Sequence, residues 1–97
     1  MAKFKLSNRA VEDLAGIWEY TFEKWSEKQA DKYYDLLIAS CHDLANNPEF
    51  GKNYEIGING VFGFKSGEHI IFFIELQKDE IEIVRILHGM MDLKNKF

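Results

Sequence analysis

Two runs of helical hydrophobic spacing followed by three runs of strand-like alternation predict an α+β domain. In it a helical hairpin packs on one face of a small antiparallel sheet. The first observation is that apolar residues recur every three or four positions from Val11 to Ala45, with one break at Ser26. The second is that residues 61–88 hold three β-type segments joined by the short turns Ser66-Gly67 and Lys78-Asp79, the pattern of an antiparallel meander. The third is a short alternating segment, KFKL at 3–6, which reads as an N-terminal strand.

Each element has its own warrant. In KFKL, Phe4 and Leu6 face inward, while Lys3 and Lys5 face solvent and blunt a sheet edge. Ser7 is an N-cap for a helix over 8–25, whose stripe runs Val11, Leu14, Ala15, Trp18, Phe22 and Trp25. Glu12 and Asp13 lie towards its N-terminus, where the helix dipole favours negative charge. Ser26 with Gln29 makes a capping box that starts a second helix over 27–46. Its stripe includes Tyr33, Tyr34, Leu37, Ile38, Cys41 and Leu44, and Pro48 terminates it. Residues 49–60 are rich in Gly and Asn and read as loop. The strands fall near 61–65, 68–77 and 80–88. Trp18, Tyr34, Leu37, Ile38, Phe72 and Ile83 are expected in the core, and Trp25 with them.

The middle strand, EHIIFFIELQ, is apolar on both faces: Ile70, Phe72 and Ile74 point one way, Ile71 and Phe73 the other. A helical hairpin covers one face only. The other needs the C-terminal tail, a second chain, or both. Phe4, Phe62, Ile71 and Phe73 are therefore the candidates for contact with a partner, and a homodimer is an alternative occupant.

Composition narrows the function. A chain of 97 residues points to one domain spanning 1–97, and 46% apolar residues point to a folded one. A net charge of −4 disfavours direct binding to nucleic acid. The single Cys41, the absence of a signal-peptide pattern and the lack of a long apolar run point to a reduced, cytoplasmic setting with no membrane span. His42, His69 and His88 show no metal-ligand spacing, so neither a metal nor another cofactor is expected. His69 and His88 form the one conceivable acid–base pair, with only Lys65 and Arg85 nearby as cations, and this is no convincing catalytic set.

The segments LSNRAVEDLAGIWEYTFEKW (6–25), QADKYYDLL (29–37), NNPEFGK (46–52), GEHIIFF (67–73) and EIVRILHGMMD (82–92) occur in order along most of the chain. In this the sequence resembles the ParE branch of the RelE/ParE family of bacterial toxins. The resemblance implies the toxin of a type II toxin–antitoxin pair, neutralised by a ParD-like antitoxin. For the ParE branch it implies DNA gyrase as the target, inhibited by binding. For the RelE branch it implies ribosome-dependent mRNA cleavage by basic residues and a C-terminal tyrosine. No tyrosine follows Tyr54, so the cleavage set is missing, while Phe62, Glu68 and Met90 stand where ParE-like chains often carry arginine. An antitoxin-binding relic without toxicity is the remaining alternative. Arg85 and His88 read first as polar groups at the sheet rim that position the tail. With Met90, Met91, Asp92 and Leu93 they are also the candidates for target contact.

Overall fold

The computed structural model describes residues 2–89 together with Leu93 and Phe97. Strand β1 (Lys3–Leu6) leads into α1 (Asn8–Lys24) and α2 (Glu27–Asn46). A 3-10 turn (Pro48–Phe50) and an irregular stretch follow, then β2 (Phe62–Ser66), β3 (His69–Gln77) and β4 (Glu80–His88). Both caps form: the Ser7 hydroxyl accepts the Ala10 N–H at 3.0 Å, and Ser26 accepts that of Gln29 at 3.1 Å. Only Trp25 and Ser26 separate the helices, so they fold back as a hairpin.

The sheet order is β1-β4-β3-β2. The three later strands make the antiparallel meander. β1 joins β4 in parallel, so the sheet as a whole is mixed, where an antiparallel one was expected. The cause is topological. The helical hairpin carries the chain from β1 at one edge to β2 at the other, and the two tight turns of the meander then bring β4 back beside β1, running in the same direction. Ser7 secures the junction: its N–H bonds to the Ile83 carbonyl and its hydroxyl donates to the Val84 carbonyl, both at 2.9 Å.

The helices lie on the face of Ile71, Phe73, Ile81, Ile83 and Ile86, and Leu14, Leu37, Cys41 and Leu44 pack into it. Burial pushes the Cys41 thiol up to about 12. Between α2 and β2, Ser40 and Ser66 satisfy each other at 2.7 Å. The opposite face is built on Ile70, Phe72 and Leu87, and it is covered by Tyr54, Ile56 and Val61 from the long loop and by Leu93 and Phe97 from the tail. The tail was foreseen as a cover. The loop was not, because its glycines and asparagines hid Tyr54, Ile56 and Ile58, and because Val61 was read as the start of the next strand. Gly63 makes room for it: a Cβ there would meet the Tyr54 ring at 2.6 Å.

Ile71 and Phe73 are fully buried under the helices, so they present no surface to a partner in this structure. The helix phase also differs from expectation. The inward line of α1 is Ala10 and Leu14, continued by the half-buried Ile17 and Thr21, and not the line of the largest side chains. Trp25 is 68% exposed, Phe22 47% and Val11 50%, and Tyr34 also lies open, while Trp18 and Ile38 are half-buried. Leu37, Phe72 and Ile83 are in the core as expected.

Candidate functional site

Arg85 lies at a bulge. Phe72 pairs with Arg85 but the next residue, Phe73, pairs with Ile83, which leaves Val84 as the extra residue of β4. The bulge re-aims the strand, so that Ile83 and Ile86, three residues apart, both enter the core beneath the helices. It also turns Arg85 towards α1. There Nε donates to one Asp13 oxygen at 2.8 Å and Nη2 to the other at 3.0 Å, a two-pronged pairing. The Ile86 N–H adds a third bond to Asp13 at 2.9 Å. Both side chains are nearly buried, at 12% and 15% exposure. The hydrogen bonds that Arg85 donates to Asp13 hold the guanidinium pKa above its ordinary value. Asp13 thus serves as a bracket between α1 and the bulge. An arginine inside an apolar strand is the visible trace of that bracket.

His69 and His88 face each other across β3 and β4 with ring centres 5.2 Å apart. Tyr33 on α2 reaches them: its oxygen lies 2.6 Å from His69 Nδ1 and accepts the Glu68 N–H at 2.9 Å. The Tyr33 hydroxyl thus joins the His69 ring at Nδ1 to the main chain at Glu68. Burial, reinforced by His88, lowers the His69 pKa to about 4. Gly67 makes the Tyr33 approach possible. It adopts φ 59°, and a Cβ there would meet the Tyr33 hydroxyl at 2.7 Å. The pair that sequence spacing brought together is thus a hydrogen-bonded assembly at the sheet rim, held by a tyrosine that sequence alone did not connect to it.

Two clefts meet here and share Tyr20, His69 and His88. The larger, of about 600 Å³, runs between α1 and the end of β4, with Glu12, Gly16 and Ile17 on its helical wall. The second continues past Lys24 and Trp25. On the opposite flank of α1, Trp18 stacks on Phe22 at 5.3 Å and 7°, and its ring N–H bonds to Asp31 of α2 at 3.0 Å. The half-buried Trp18 and the exposed Phe22, Val11 and Tyr34 form a largely aromatic strip on the hairpin.

Of the other sequence candidates, Phe62 is exposed on β2 and Phe4 is half-buried, its ring 4.8 Å from that of His42. Leu93 is half-buried against the second core, and Met90, Met91 and Asp92 lie outside the described residues. Among the described residues no group of three His, Cys, Asp or Glu side chains could hold a metal ion, and no helix is long and apolar enough to cross a membrane. The aromatic strip was missed because Trp18, Phe22 and Trp25 share the helical spacing of a core stripe.

A two-layer α+β fold with a helical hairpin over a β1-β4-β3-β2 sheet is also the fold of known toxins. A chain of the chromosomal ParDE toxin–antitoxin system of P. aeruginosa superposes with a TM-score of 0.76 at 20% identity, covering 91% of this chain and 96% of that one. The toxin–antitoxin complex RelBE2 of Mycobacterium tuberculosis gives 0.66 at 17% identity, over 90% and 96%. In sequence, residues 4–93 match the family of ParE toxins of type II toxin–antitoxin systems, parDE. Toxin ParE1 of Caulobacter vibrioides is 33% identical over 94 residues, which is 97% of this chain and 96% of that protein. Toxin ParE1 of Mycobacterium tuberculosis is 29% identical over 92 residues, 95% and 94% of the two chains. The chain belongs to the ParE toxin family of type II toxin–antitoxin systems.

Proposed function

We propose that this toxin acts in the cytoplasm by binding DNA gyrase, performs no chemistry of its own, and is held inactive by a ParD-like antitoxin. Membership in the ParE family supports the target. The observation that carries the mechanism is the engagement of the polar groups at the sheet rim. Arg85 is committed to Asp13, and His69 is held neutral at Nδ1 by Tyr33. An RNA-cleaving site needs cations free to meet the charge that develops on phosphate, and the pairing of Arg85 works against that use.

The aromatic strip of Val11, Trp18, Phe22 and Tyr34 supports the antitoxin part. It is an exposed apolar surface on a rigid hairpin, the kind of surface on which an amphipathic segment folds as it binds. Phe62 and Phe4 extend the candidate contact to the two sheet edges. The strip is also the surface on which two copies of the chain would meet, were homodimerisation its use. Expression without the antitoxin tests the reading. Filamentation and a DNA-damage response are expected, and translation arrest with mRNA cleaved on ribosomes would refute it.

A further inference from the structure

Nothing among the described residues accounts for the glycine in the middle of α1. Gly16 is exposed, and a Cβ added there would meet nothing within 4 Å. No close approach of another element among the described residues requires it, and a helix interior is a poor place for glycine. It opens directly on the cleft of Ile17, Tyr20, His69 and His88. With the adjoining cleft the trough follows α1 from Glu12 to Trp25, which at 1.5 Å per residue is about 20 Å, room for roughly six extended residues.

The exposed face around Gly16 is acidic. Glu12, Gly16, Glu19 and Glu23 follow one another at steps of four, three and four, which places them on one side of the helix, all exposed. Lys24, the cation at the far end, is folded onto Tyr20, with Nζ 3.3 Å from the phenol oxygen. A second copy of this chain laid along the same face would oppose carboxylate to carboxylate. The complementary occupant is cationic.

We propose that this trough binds an extended, basic segment of a partner protein, whose main chain crosses α1 at Gly16. Apolar side chains of the segment fill the cleft against Ile17 and Tyr20, and its Lys or Arg residues meet Glu12 and Glu19. The ring of His69, which lines the same cleft, offers the segment's main chain a hydrogen-bonding partner. The surface is separate from the Trp18–Phe22 strip, which lies on the other flank of α1, so both sides of one helix are available to partners at once.

The test uses the full chain and two capped octapeptides, one alternating Lys and Leu, the other Glu and Leu, followed by NMR. The Lys–Leu peptide is expected to shift the Gly16 amide and the His69 and His88 ring signals saturably, and to bind more weakly as salt rises from about 0.05 to about 0.5 M. Gly16→Ala, which leaves the fold intact because the added Cβ meets nothing within 4 Å, should bind several-fold more weakly, and Gly16→Trp, which fills the trough, roughly tenfold more weakly or worse. Glu12→Lys supplies a second variant should Gly16→Trp fail to fold, with the same loss expected. Equal binding of the Glu–Leu peptide, undiminished binding to a folded Gly16→Trp or to Glu12→Lys, or shifts confined to Trp18 and Phe22 would overturn the proposal. Binding is read without toxicity, so this outcome is independent of whether gyrase is the target.

Discussion

Asp13 is the residue on which the local geometry turns. It accepts three hydrogen bonds from Arg85 and Ile86, and those bonds fix the bulge that sends Ile86 into the core. Asp13→Ala would remove both carboxylate bonds to the nearly buried guanidinium and the acceptor of the Ile86 N–H, at a cost of roughly 2–4 kcal/mol in unfolding free energy by urea titration. A loss below about 0.5 kcal/mol, as for an ordinary surface change, would contradict the bracket. His69 supplies a pH-dependent term. Its folded pKa of about 4 lies below the ordinary value of 6.5, so the unfolded chain binds the extra proton. Stability from this group is complete above pH 6.5 and is lost as pH falls from 6.5 towards 4, with a slope of at most about 1.4 kcal/mol per pH unit. His69→Gln should flatten that part of the profile. Unchanged pH dependence in the variant would place the ring in solvent. The pairing of residues 69 and 88 was legible from strand alternation. Tyr33 was not, because its partners lie 35 and 36 positions away and only the Gly67 turn brings them under it.

At the scale of elements, caps and periodicity carried the helices well. Ser7 and Ser26 begin them and Pro48 follows the end of the second. Their rotational phase was harder to read. Ala10 and Leu14 go inward while Trp25 stays out, since a large aromatic weighs more in a pattern than a small alanine although the latter permits close packing. Two substitutions measure this. Leu37→Ala, at a fully buried position, should cost roughly 2–5 kcal/mol. Trp25→Ala, at an exposed one, should cost under about 1 kcal/mol. The reverse order, in chemical denaturation, would return Trp25 to the core. The bulge in β4 was not legible, because it depends on a carboxylate 72 residues away in another element. The mixed sheet escaped the sequence for a similar reason: β1 and β4 pair across almost the whole chain.

At the scale of the molecule, both sheet faces are covered, one by the hairpin and one by loop and tail. The ring centres of Phe97 and Phe72 are 4.9 Å apart in an edge-to-face arrangement, and Leu93 packs on the same cluster. Deleting residues 91–97 should therefore lower stability by roughly 2–4 kcal/mol and expose Phe72 and Leu87 to a dye such as ANS. An unchanged melting curve would mean that the loop suffices as cover. The fold itself was readable because its strands and helices are each locally consistent. The exposed aromatic surface was not, since an exposed residue and a residue buried in a core follow the same helical spacing. Purified toxin added to a gyrase supercoiling reaction tests the central claim most directly. The account predicts inhibition that an equimolar ParD-like antitoxin relieves, and full supercoiling in the presence of excess folded toxin would contradict it.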